Sequence, residues 1–170
     1  SDMEAYKKAM QKAIELAQND FIVTFGVQPT RPETGYGYIE HSKENVISFR
    51  EKPNHITAQD FIEQGNFLWN SGMFCFKAKV LLKELKKFEK EIYEKSVIAW
   101  KNNENGVLDE KLSMDIPSNS IDYAVMERSK KIKVVPASFI CNDLGSFESL
   151  YDYFVMIGHY VDRSGNMVIG

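Results

Sequence analysis

Cysteine and histidine are scarce in this sequence: two cysteines, Cys75 and Cys141, and three histidines are its whole supply of soft metal ligands and disulfide partners. Each cysteine lies inside an apolar or strand-like run, and His41, His55 and His159 are scattered without ligand spacing. That excludes a disulfide framework and a zinc site, and it predicts two buried reduced thiols in a cytoplasmic protein. Long hydrophobic runs are missing too. No stretch approaches the roughly 20 apolar residues needed to cross a bilayer, and the polar N-terminus has no apolar signal core, so neither membrane insertion nor secretion is expected. Charge of one sign is also lacking, because 21 Lys and Arg nearly cancel 24 Asp and Glu to leave a formal net charge of -3. The densest basic stretches, Lys83 to Lys90 and Arg128 to Lys133, are interrupted by Glu, Leu or Ile as solvated faces are, and nucleic acid is not an expected partner. No glycine-rich loop joins a strand to a helix, so a phosphate cradle of that type is absent. Internal repeats and low-complexity segments are absent as well.

What is present suits one sizeable core, since 44% of the 170 residues are hydrophobic. Ser1 and Asp2 cap a helix whose face is Met3, Tyr6, Met10, Ala13 and Ala17. Phe21 to Phe25, ending at Gly26, reads as a buried strand. After a loop with Pro29, Pro32 and Gly35, Tyr36 to Glu40 and Val46 to Arg50 form a hairpin around His41 to Asn45, which puts Glu51 and Lys52 at a strand end. Thr57 to Gln64 is a helix with Thr57 as its cap and Asp60 three residues on, closed by Gly65. Phe67 to Phe76 is strand-like in its second half. Leu81 through Trp100 keeps helical periodicity, a cap at Ser120 opens a short helix through Met126, and strands follow at Ile132 to Val135 and near Cys141. Ser146 caps a helix through Tyr153, and Asp122 reads as a first-turn carboxylate favoured by the helix dipole, with no role in catalysis. The chain stops as a strand begins at Met167 to Ile169, so the reading expects a domain trimmed at both ends, with a C-terminal β region starting near 160–170.

Five strings then occur in order: Thr34-Gly-Tyr-Gly-Tyr-Ile39, Phe49-Arg-Glu-Lys-Pro53, Trp69-Asn-Ser-Gly-Met-Phe74, Ser120-Ile-Asp-Tyr-Ala-Val-Met-Glu127 and Asp143-Leu-Gly-Ser146. Together they resemble the mannose-1-phosphate guanylyltransferases across residues 1–170. The resemblance implies an α/β fold, a Rossmann-like nucleotidyltransferase mixed sheet flanked by helices, of which this chain is the sugar-phosphate-binding portion. It implies a cytoplasmic enzyme in which mannose 1-phosphate attacks the α-phosphate of GTP with Mg2+ present, giving GDP-mannose and pyrophosphate. A homo-oligomer is compatible with the sequence.

Such a reaction brings two phosphates together, so cations and hydrogen-bond donors must offset their repulsion. By the resemblance, Lys52 neutralises the sugar phosphate and Glu51, Asn70 and Ser71 contact the sugar. Gly37 lets the backbone approach it, and Asp143 is a carboxylate ligand of Mg2+. Each has a plainer reading: charges at a strand end, a turn at Asn70-Ser71-Gly72, a bulge at Gly37, a helix-entry turn at Asp143. The family's signature rich in Gly and Arg and its second metal-binding Asp are not in this sequence, so the chain by itself is expected to lack turnover. A parent fused to a phosphomannose isomerase and a non-catalytic sugar-phosphate-binding or assembly module remain open alternatives.

Overall fold

A computed structural model describes residues 2–139 and 147–158. Cys141, Asp143, Ser146 and the strand expected at Met167 to Ile169 lie outside the described residues. The chain divides into two compact units, 1–139 and 140–170. In the second, the described element is α6 (Phe147–Met156). All that follows concerns the first.

Its strands are β1 (Ile22–Val27), β2 (Tyr38–Ser42), β3 (Asn45–Arg50), β4 (Phe67–Cys75) and β5 (Ile132–Pro136), and they form one mixed sheet in the order β1-β4-β2-β3-β5. β1 runs parallel to β5 and antiparallel to β4, and β2 lies antiparallel between β4 and β3. The sheet closes where β3 meets β5 through Asn45 opposite Lys133. A central strand must be apolar on both faces, and β1 is: Ile22 faces one core with Ile39, Leu68 and Val134, while Val23 and Phe25 face another. The helices are α1 (Asp2–Gln18), α2 (His55–Gln64), α3 (Ala78–Phe88), α4 (Lys90–Lys101) and α5 (Glu110–Met114). The expected architecture, a mixed sheet flanked by helices, is the one observed.

α1 buries Ala9, Ala13 and Ala17 against Val23, Phe25 and Val135. Met3 and Tyr6, expected on that face, are 60% and 41% exposed. Small residues four apart let the helix lie close to the sheet, which rotates the bulky positions outward. α2 begins two residues before its expected start. Asn54, not Thr57, is the cap, and its Oδ1 accepts from Thr57 N at 2.9 Å. Gly65 closes the helix at φ 73°, as read from the sequence. The hairpin pairs through Ser42 and Asn45, so its turn is Lys43-Glu44 and not all of His41 to Asn45. Lys43 takes φ 56° there, which suits a tight turn. The periodic run from Leu81 to Trp100 is two helices, because Glu89 leaves helical geometry at φ -135° and ψ 65°.

Residues Asp122–Met126 form a single π-helical turn in place of the expected short α-helix, with Glu127 N donating to Asp122 O at 3.0 Å. The turn buries Ala124, Val125 and Met126 in succession under the sheet. In an α-helix residues five apart diverge by about 140°. The wider π-turn brings them closer to one side, and so Asp122 and Glu127 both face the segment that follows β3.

Candidate functional site

Five of the residues singled out in the sequence end up within one polar cluster or at its border. Gly37 precedes β2, and its carbonyl accepts from Asn70 N at 2.7 Å, which sets the two residues opposite each other. Adjacent in the chain to Asn70, β4 bulges: Thr24 pairs with Phe74 and Gly26 with Asn70, so Ser71, Gly72 and Met73 stand against Phe25 alone. Gly72 takes φ 71° in that bulge. A bulge re-aims the neighbouring side chain, and here the Asn70 amide turns toward the buried Thr24 hydroxyl. Thr24 Oγ1 donates to Asn70 Oδ1 at 2.7 Å, and Asn70 Nδ2 donates to Asp122 Oδ1 at 3.2 Å. Ser71 Oγ accepts from Met73 N at 3.2 Å, so its hydroxyl serves the bulge.

Glu51 follows β3 and is held from behind, its N–H donating to Glu127 Oε1 at 3.0 Å. Its side chain is 9% exposed. Oε1 lies 3.6 Å from Lys52 Nζ, whereas Oε2 is buried with no hydrogen-bond partner. That orphaned oxygen lies against the bare α-carbon of Gly37, where a Cβ would stand 2.5 Å from it. Lys52 has φ 46°, a left-handed backbone uncommon for a residue with a side chain and unfavourable before Pro53. Strain of this kind persists only where the surroundings impose it, and it gathers at ligand sites. The Lys52 side chain is 59% exposed, so its ammonium is reachable from solvent beside its partner Glu51.

The electrostatics agree with the geometry. Burial pushes the Glu51 carboxyl above the ordinary glutamate range; the nearby Asp122 adds to the rise and Lys52 opposes it. Burial likewise raises Asp122, against the pull of its backbone hydrogen bond, Lys52 and Asn70. Of the two carboxylates, Asp122 has donors in Asn70 and its own backbone, whereas Glu51 Oε2 has none. A cleft of about 240 Å3 borders Glu51 on the α2 side and is also lined by Arg50, Pro53, Asn54, Thr57, Phe61 and Glu127. Gly37, Lys52, Asn70 and Asp122 do not line it.

The structure thus gathers Gly37, Glu51, Lys52 and Asn70, and sets Ser71 at the border in a local role. Asp143 lies outside the described residues. Asp122 is the functional candidate that sequence reasoning passed over, because a first-turn aspartate is explained by the helix dipole alone. Its place beside Asn70 depends on a contact 52 residues apart in sequence. Among the described residues no group of three or more His, Cys, Asp or Glu side chains could hold a metal ion. Asp143, where a Mg2+ ligand is expected, is not among them.

The cluster thus brings two carboxylates, an amide and an ammonium together. The family model described as nucleotidyl transferase matches residues 1–158. The chain belongs to the nucleotidyl transferase family. This nucleotidyl transferase chain is 43% identical over 161 residues to the mannose-1-phosphate guanylyltransferase RfbM of Salmonella typhimurium, covering 89% of the chain and 34% of that protein. It is 38% identical over 181 residues to the alginate biosynthesis protein AlgA of Pseudomonas aeruginosa, covering 99% of the chain and 37% of that protein. A solved structure titled mannose-6-phosphate isomerase from Helicobacter pylori superposes with a TM-score of 0.78 at 42% identity, covering 82% of this chain and 58% of that one. The chain spans about a third of the length of the curated relatives it matches.

Proposed function

We propose that this nucleotidyl transferase chain holds the acceptor in an enzyme that transfers GMP from GTP to mannose 1-phosphate, in the cytoplasm. A phosphate oxygen of mannose 1-phosphate forms a bond to the α-phosphorus of GTP, the bond from that phosphorus to the bridging oxygen breaks, and pyrophosphate leaves with GDP-mannose as the product. The observation that carries the reading is the orphaned, buried Oε2 of Glu51 packed against the α-carbon of Gly37. A carboxylate oxygen without a donor costs about 1–3 kcal/mol, and a sugar hydroxyl that donates to it recovers that cost. Asn70, paired with Gly37 through its backbone, adds an amide, and the exposed ammonium of Lys52 offsets the charge of the sugar phosphate. The relative named mannose-1-phosphate guanylyltransferase supports the choice of sugar and nucleotide. Nucleotidyl transfer calls for a divalent cation in general. Magnesium with Asp143 as a ligand is the proposed arrangement.

Lys52 provides the test. Binding of mannose 1-phosphate and of unphosphorylated mannose is measured by calorimetry for the unaltered chain and for Lys52→Ala. The proposal predicts that the preference for the phosphorylated sugar falls about tenfold or more, the order expected of one lost charge-assisted contact. An equal loss for both sugars would remove the sugar-phosphate assignment.

A further inference from the structure

We propose that Asp122 is a positioning residue of this subsite, which fixes the orientation of the Asn70 amide so that a bound sugar meets a donor from Asn70 next to an acceptor from Glu51. The substrate in this inference is that of the reading above. Asn70 is held between Thr24, whose Oγ1 lies 2.7 Å from its Oδ1, and Asp122, whose Oδ1 lies 3.2 Å from its Nδ2. The two partners differ in what they enforce. A threonine hydroxyl both donates and accepts, so Thr24 tolerates either orientation of the amide. A carboxylate only accepts, and a flipped Asn70 would set its carbonyl oxygen against Asp122 Oδ1. Orientation is therefore decided at Asp122. The hydroxyl then settles as a donor to Asn70 Oδ1, with Met73 O as a second acceptor at 3.4 Å.

The consequence reaches the ligand. With one Nδ2–H committed to Asp122, the second remains for a ligand acceptor, while the orphaned acceptor Oε2 of Glu51 lies against Gly37, the residue whose carbonyl accepts from Asn70 N. A sugar must then present an accepting and a donating oxygen side by side, as neighbouring hydroxyls do. The π-turn makes the arrangement possible, since it places Asp122 toward Asn70 while Glu127 grips the backbone of Glu51. One element thus sets both halves of the reading edge. Neither role follows from dipole compensation at a helix start.

Asp122→Asn is the diagnostic change. It keeps shape and hydrogen-bonding capacity, and a purely structural role would leave binding unmoved, but an amide at 122 accepts either orientation of Asn70. Calorimetry should show mannose 1-phosphate binding weakened about fivefold to twentyfold, with a melting temperature close to that of the unaltered chain. On an Asn70→Ala background the same change should cost less than about twofold, because residues that act through one another are not additive. Asn70→Ser replaces Asn70→Ala if the latter does not melt cooperatively. In the ligand-free chain, the Asn70 side-chain amide resonances should shift in Asp122→Asn. Equal costs on both backgrounds, undiminished binding, or unmoved amide resonances would each overturn the inference. If the unaltered chain binds no mannose 1-phosphate, the proposed function falls, and the amide resonances alone decide the role of Asp122.

Discussion

Gly37 and Glu51 act as a pair at the scale of single residues. A methyl group at Gly37 would stand 2.5 Å from Glu51 Oε2 and 3.3 Å from the Phe49 ring, so the carboxylate has to swing away. Gly37→Ala should cost about 1 kcal/mol of stability, the low end for overpacking where a side chain can yield. Thermal unfolding checks that cost, and loss of sugar-phosphate binding should far exceed it. Glu51 gives the complementary case. Its pKa is raised in the folded chain, so the folded state holds the proton more tightly than the unfolded one, and stability falls as pH rises from the ordinary glutamate value through the raised one. Removing the charge should therefore help the fold where it harms binding. Glu51→Gln should melt higher than the unaltered chain at pH 7, and the gap should close as pH falls below about 4, where both side chains are neutral. A lower melting temperature at pH 7 would mean that the ionised form is well solvated after all.

At the scale of elements, β1 and β4 decide where the site forms. Gly26 lies beside the β4 bulge, and a Cβ there would meet Leu68 at 2.6 Å and Val134 at 2.9 Å, both packed in the core and unable to give way cheaply. Gly26→Ala should cost about 1–3 kcal/mol, measured by denaturant unfolding, and should disturb the bulge that aims Asn70. Asn54→Ala removes the cap of α2 and should cost about 1 kcal/mol while sparing the polar cluster. Much of this layer was legible in the sequence. β1 announces itself by its apolar run, Gly65 by its place after a helical pattern, and the hairpin by two β-prone runs around a polar turn. The bulge was not, because Asn70-Ser71-Gly72 reads equally well as a turn, and only pairing with β1 shows that the strand continues past it. Nor was the π-turn, since Ser120 followed by a short apolar stretch gives the same signal for an α-helical turn. The break at Glu89 was hidden because apolar spacing runs on through it.

For the molecule as a whole, the sheet brings together segments that lie far apart in the chain: Gly37 before β2, Glu51 after β3, Asn70 on β4 and Asp122 on the π-turn. Residue types in short ordered strings pointed to four members of the candidate site, while Asp122 needed the three-dimensional pairing to be seen. The proposal to be tested is that Gly37, Glu51, Lys52 and Asn70 form one subsite for a sugar phosphate. Its most direct test is a calorimetric titration of the chain with mannose 1-phosphate, repeated on Gly37→Ala. Binding to the unaltered chain should be saturable and should weaken about tenfold or more in Gly37→Ala, with the fold retained by circular dichroism. Undiminished binding in a folded Gly37→Ala would contradict it, because the added methyl displaces the Glu51 carboxylate that is proposed to hold the sugar.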